Sequence, residues 1–279
     1  MVQYNKLTKV GLVIFSSLLF VACSTNRYAA TEKIYKDKAK GFSETIKTIP
    51  PPAQQIAGLD PTLQSWVGSV NFGIRKPNFV ILHHTAQNST QQTINTFLVK
   101  GKSEVSAHYI VGKDGVVVQM VNDYLRANHA GIGKWGNNSD LNSTSIGIEL
   151  DNNGIDQAFT NAQIKSLLVL LENLKKRYNI PVANFIGHAD IAPGRKNDPR
   201  NFPWKVLAKQ GFGLWYDDIL NLPPEDFNAE LALRVIGYDT RNLAAAIEAF
   251  KIHFVQTDIS QVLTPADKLI LFNLYKKYM

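Results

Sequence analysis

One cysteine stands among 279 residues, at position 23. No intrachain disulfide can form, and no metal site in the body of the chain can be built from thiolates. No block of Lys and Arg is interleaved with aromatics, so nothing points to nucleic-acid binding. The apolar run Val10 to Val21 is too short to span a bilayer as a helix. These absences leave imidazole, carboxylate, amine and hydroxyl as the chemistry available.

What is present starts at the N-terminus. Lys6 and Lys9 precede the apolar run, which ends in Leu19-Phe20-Val21-Ala22-Cys23-Ser24. A basic segment, a short apolar segment and a small residue read as a secretion signal over residues 1–22. A Cys directly after that boundary resembles a bacterial lipoprotein processing site, with Cys23 as the lipidated residue. Each buried methylene of an acyl chain there adds about 0.8 kcal/mol of membrane affinity. Ser24, rather than Asp, after the Cys resembles the outer-membrane sorting pattern, with the body of the chain facing the periplasm.

Residues 23–60 are Lys-rich and interrupted by Pro50-Pro51-Pro52, which favours an extended form. They read as a lipid-anchored tether, and Leu63 to Phe72 as a segment able to pack on the body. The formal charge is +7, and loss of residues 1–22 with Lys6 and Lys9 lowers it to +5. A mild positive balance suits an anionic envelope polymer or membrane surface.

Residues 61–222 carry alternating strand and helix patterns. Phe79-Val80-Ile81-Leu82, Ser145 to Leu150 and Asn184 to Gly187 read as strands, and Lys113-Asp114-Gly115 as the turn of a hairpin. Ser89-Thr90-Gln91-Gln92 and Thr160-Asn161-Ala162-Gln163 each open a helix. The second helix continues with Ile164, Leu167, Leu168, Leu171, Leu174 and Tyr178, a core-facing stripe. The fold class is therefore α/β, a mixed central β-sheet flanked by helices. Residues 223–279 read as a small separate unit of three helices, entered through Pro223-Pro224.

The chemistry gathers at strand ends. His83-His84 ends the first strand, and His188-Ala189-Asp190-Ile191-Ala192-Pro193-Gly194-Arg195-Lys196-Asn197-Asp198 follows the last. A His from one strand end with a His and an Asp from the later loop would make three ligands of mixed type. Three protein ligands and one open position is the pattern of a catalytic zinc. Adjacent residues of a strand point to opposite faces, so only one of His83 and His84 can contribute. Glu149, amid apolar strand residues, suits a proton shuttle with a raised pKa. Lys196 offers an ammonium for a developing oxyanion.

The segments Leu82-His83-His84-Thr85-Ala86, Ser106-Ala107-His108-Tyr109, Asn128-His129-Ala130-Gly131, Ser145-Ile146-Gly147-Ile148-Glu149 and His188 through Asp198 together resemble the type-2 zinc N-acetylmuramoyl-L-alanine amidases. That resemblance implies a fold like those amidases and the peptidoglycan recognition proteins. It implies Zn²⁺ held by His83, His188 and Asp198, with Glu149 as acid/base and Lys196 on the oxyanion. It places His129 in the groove against substrate, and makes His108 structural. The implied partners are peptidoglycan or muropeptides, handled by a monomer. Residues 226–279 resemble a three-helix peptidoglycan-binding domain, through Gly237-Tyr238-Asp239 and Ala246 to Phe254. Truncation near Leu222 removes no implied catalytic group, so the helices read as a separable wall-binding module. A non-catalytic wall receptor is the competing class, and the presence of all three ligands with Glu149 and Lys196 favours the enzyme.

Overall fold

The structure, a computed structural model, describes residues 26–48, 76–99 and 104–279. The chain divides into two units, Met1–Ser69 and Val70–Met279. The secretion signal, Cys23, the Pro50–Pro52 run and the Leu63–Phe72 segment all lie outside the described residues.

Within the first unit, residues expected as part of an extended tether form a helix, α1 (Ala29–Thr48). The reason is compositional. Lys and Ala supply eight of its 20 residues, and the chain's first prolines begin only after it, at Pro50. Exposed pairs such as Lys33 with Asp37, at 3.0 Å one turn on, add a few tenths of a kcal/mol each.

The second unit is built on β1 (Phe79–His84). Its Val-Ile-Leu run is buried on both faces, as a central parallel strand requires. After it come α2 (Thr90–Leu98), β2 (Tyr109–Val111), β3 (Val117–Gln119), the single turn α3 (Leu141–Thr144) and β4 (Ser145–Leu150). Then follow α4 (Asn161–Tyr178), β5 (Phe185–Gly187), the single turn α5 (His188–Ile191) and α6 (Trp204–Lys209). Three more helices close the chain, α7 (Ala229–Ile236), α8 (Leu243–Phe254) and α9 (Pro265–Tyr278). The sheet order is β3-β2-β4-β1-β5. β1 runs parallel to β4 and β5, β2 runs parallel to β4, and β3 pairs antiparallel with β2, so the sheet is mixed.

Strand parity assigns the faces. Val80 and Leu82 point with Ile146, Ile148 and Leu150 into a cluster under Leu167, Leu171, Leu174 and Tyr178 of α4. Ile81 points the other way, into a cluster with Ile186, Leu233, Ile236, Phe250, Phe254, Leu271 and Leu274. Residues of odd number on β1 therefore face the side covered by the C-terminal helices.

That second cluster joins the C-terminal helices to the sheet. Three helices form in the expected places, but they share one core with the sheet rather than enclosing their own. Polar contacts join the parts as well. Asp190 Oδ1 accepts from the Tyr238 hydroxyl at 2.7 Å. Asp190 Oδ2 lies 2.7 Å from His253 Nδ1, whose ring stacks on Trp204 at 3.9 Å. Each large apolar side chain in such a cluster contributes roughly 1.5–3 kcal/mol on burial, against a net domain stability of about 5–15 kcal/mol. A chain ending at Leu222 is therefore expected to be insoluble or to lose cooperative melting, while the full chain melts in one transition. Calorimetry on both checks this, and a truncated chain with an independent sharp transition would restore the modular reading.

Candidate functional site

Strand pairing brings the first groups together. His83 on β1 stands beside Glu149 on β4 in the parallel register. Parity puts both on the face away from α4. The next strand, β5, ends at Gly187, and the turn α5 begins with His188. The loop after α5 returns Asp198 to the same place, its carbonyl accepting from Ala189 N at 2.8 Å. The result is a cluster in which ligand atoms of His83, His188 and Asp198 lie within 4.8 Å of one another, all three buried.

The cluster floors a cleft of about 620 Å³, whose walls include His129, Glu149 and Lys196. All the groups singled out in the body of the chain thus meet at one cleft. The exposed Lys196 lies on the loop just before Asp198. Glu248 on α8 and Gln261 beyond it also reach the cleft wall, bonded to each other at 2.7 Å, so the C-terminal helices help to bound the site.

Burial dominates the electrostatics of the site. Burial pushes the Glu149 carboxyl up to about 8, the Asp198 charge adding to the rise and Lys196 opposing it. Its Oε2 is buried without a hydrogen-bond partner among the described residues. Burial also lowers His83 to about 4, with His188 acting the same way and Asp198 opposing.

The donor set fits a metal. His188 Nε2 lies 3.1 Å from the Ala130 carbonyl, which can only accept, so Nε2 carries the proton of the neutral ring. Its Nδ1 lone pair then faces Asp198 Oδ2 at 3.1 Å and His83 Nδ1 at 2.9 Å. Asp198 Oδ2 and His83 Nδ1 are 3.3 Å apart. Electron-rich atoms converge on one point, which a cation satisfies. Tetrahedral bonds of about 2.0–2.1 Å have edges of about 3.3 Å, close to this triangle. Two imidazoles and a carboxylate suit zinc.

His84 points to the opposite face. Its Nδ1 accepts from Arg200 N at 3.3 Å, and its ring fills the space that a side chain at Gly154 would occupy. His108 is fully buried between Gly147 N, which donates to its Nδ1, and the Leu125 carbonyl.

His129 makes contacts that the sequence does not reveal. It walls the cleft, and Nδ1 is 3.0 Å from His83 Nε2 and Nε2 is 3.2 Å from Ser145 Oγ. Both ring nitrogens are engaged within the protein. Sequence reasoning passed over Ser145 and Asn142. The one visible signal was Gly147 inside an apolar strand, since such a glycine marks a close approach.

Comparisons with known proteins bear on this site. A family described as N-acetylmuramoyl-L-alanine amidase matches residues 73–201. The N-acetylmuramoyl-L-alanine amidase AmiD of Escherichia coli (strain K12) is 36% identical over 211 residues, covering 64% of this chain and 75% of that protein. The 1,6-anhydro-N-acetylmuramyl-L-alanine amidase AmpD of Citrobacter freundii is 42% identical over 102 residues, 36% of this chain and 54% of that one. Among solved structures, Escherichia coli AmiD in complex with the substrate anhydro-N-acetylmuramic acid-L-Ala-D-gamma-Glu-L-Lys superposes with a TM-score of 0.64 at 30% identity. That match covers 76% of this chain and 93% of that one. AmpDh3 from Pseudomonas aeruginosa gives a TM-score of 0.66 at 30% identity, over 80% of this chain and 99% of that one.

Proposed function

The chain belongs to the N-acetylmuramoyl-L-alanine amidase family, and we propose that it hydrolyses the amide joining N-acetylmuramic acid to L-alanine in peptidoglycan or its fragments. The observation that carries this reading is the convergence of His83, His188 and Asp198 at the floor of one cleft, with Glu149 and Lys196 beside them.

His83, His188 and Asp198 would hold Zn²⁺. When bound, zinc supplies Lewis acidity at the scissile carbonyl and lowers the pKa of water toward about 7. Glu149 would take the proton of the attacking water and pass it to the departing alanine nitrogen, as a base and then an acid with a pKa near neutrality can. The Lys196 ammonium would stabilise the negative charge that develops on the carbonyl oxygen. The amide C–N bond breaks, leaving a carboxyl on the lactyl ether of the sugar and a free amine on the peptide. All five groups come from one chain, which suits a monomer. The test is incubation with anhydro-N-acetylmuramic acid-L-Ala-D-gamma-Glu-L-Lys and mass analysis of the products. Release of the intact tripeptide is expected, and cleavage at any other bond would overturn the assignment.

The N-terminal segment supports an attachment to the membrane through acyl chains on Cys23, at the outer membrane and facing the periplasm. Among the described residues no helix is long and apolar enough to cross a membrane. Labelled palmitate is expected in the parent protein and not in Cys23→Ala, which should leave the membrane fraction or remain unprocessed. An unlabelled parent protein would exclude lipidation.

A further inference from the structure

With the rings of His129 and His83 neutral, the hydrogen bonds around His129 run in one direction. Ser145 Oγ lies 2.5 Å from the Leu141 carbonyl, so its single proton is committed there. Toward His129 Nε2, at 3.2 Å, Ser145 Oγ must then accept, and the His129 proton sits on Nε2. His129 Nδ1 is left as an acceptor, and at 3.0 Å it takes the proton on His83 Nε2. His83 Nδ1 therefore keeps its lone pair, on the side of His188 and Asp198. The neighbouring residue completes the pattern, because the Ala130 carbonyl fixes the proton of His188 on Nε2.

The segment carrying both groups is itself pinned. Asn142 Oδ1 accepts from His129 N at 2.9 Å and from Ala130 N at 2.8 Å. Below the His129 ring, a Cβ on Gly147 would come within 2.3 Å of the imidazole, so only glycine leaves room for it. Ser145, Gly147 and Glu149 share one face of β4 by parity.

We infer that His129 is a positioning residue of the metal centre, and that residues 129–130 set the tautomers of both imidazole ligands, His129 for His83 and the Ala130 carbonyl for His188. This rests on the reading of His83, His188 and Asp198 as a zinc site. A ligating histidine needs its outer nitrogen protonated and held, so that its inner lone pair aims at the ion. Losing such an outer partner typically lowers metal affinity 10–100-fold. A buried imidazole is an unusual choice for that partner. It transmits the commitment of a backbone carbonyl, at Leu141, through a hydroxyl and a ring to the ligand.

The test uses the full chain and two readouts. Zinc affinity is measured by competition with a chromophoric chelator in the parent, His129→Leu and His129→Asn. His129→Leu removes the acceptor and should bind zinc 10–100-fold more weakly. His129→Asn can place its amide oxygen near the position of Nδ1 and should stay within several-fold of the parent. The second readout needs no variant. Long-range proton–nitrogen NMR of the metal-free parent, which has only six histidines, should show His83, His129 and His188 protonated on Nε2. His83 protonated on Nδ1, or a folded His129→Leu that binds zinc as tightly as the parent, overturns the inference alone. A His129→Asn no better than His129→Leu does the same. A parent that binds no zinc overturns the metal reading and this inference with it. Zinc binding without amide cleavage counts against the proposed function only.

Discussion

His83→Ala, His188→Ala and Asp198→Ala are each expected to lose stoichiometric zinc and, with it, hydrolysis of the muramoyl amide. Each substitution removes one of three ligand atoms that converge within 4.8 Å. Two remaining ligands cannot close a catalytic site of the three-ligand type. His84→Ala is the control. Its ring lies over Gly154 on the opposite side of the strand, and its Nδ1 serves Arg200 N. That variant should keep one zinc per chain by elemental analysis. Zinc lost from His84→Ala and retained in His83→Ala would reverse the ligand assignment.

Glu149→Gln is expected to keep zinc and fold while losing about 10²–10⁴-fold in kcat, the range for a positioned general acid–base group. The same substitution has a second, independent signature in protein stripped of metal. Burial raises the folded-state Glu149 carboxyl from 4.5 to about 8. Below about pH 4.5 both folded and unfolded chains hold the proton, and Glu149 has no pH-dependent cost. Between there and about pH 8 the unfolded chain ionises first, so unfolding releases a proton and stability falls as pH rises. At about 1.4 kcal/mol for each tenfold change in proton affinity, the loss is on the order of a few kcal/mol. Glu149→Gln carries no such loss. Metal-free Glu149→Gln should melt close to the metal-free parent at pH 4.5. It should melt above the parent by pH 8, by roughly 2–4 °C per kcal/mol for a chain of this size. A gap that stays constant with pH would show that Glu149 is not buried as described, and an active zinc-loaded Glu149→Gln would remove its role as proton shuttle.

Much of this site was legible because its groups sit on elements with strong local patterns. The Phe79–Leu82 run and the Ser145–Leu150 run mark two strands, and strand parity alone separates His83 from His84. Ser89 and Thr160 act as N-caps at the expected helix starts, accepting from Gln92 N and Gln163 N. What stayed hidden depends on contacts between distant segments. The bond from His83 to His129 spans 46 positions, and its direction is decided by Ser145 on another strand, so no local pattern reveals it. The shared core with the C-terminal helices left a trace that was open to reading. In α8 almost every residue from Ala245 to Phe254 is buried, Lys251 and His253 included. A helix apolar nearly all round belongs to the interior of a larger body, not to the edge of a three-helix module. The helix α1 was obscured by the proline run that follows it, although its own composition favours a helix.

The central claim is that this cleft delivers water to the muramoyl–alanine amide. Turnover of anhydro-N-acetylmuramic acid-L-Ala-D-gamma-Glu-L-Lys in ¹⁸O-enriched water, followed by mass spectrometry of both products, tests it directly. The account predicts one ¹⁸O in the sugar product, in the carboxyl of its lactyl ether, and none in an intact L-Ala-D-gamma-Glu-L-Lys. Label in the peptide, or no turnover by the zinc-loaded protein, would contradict it.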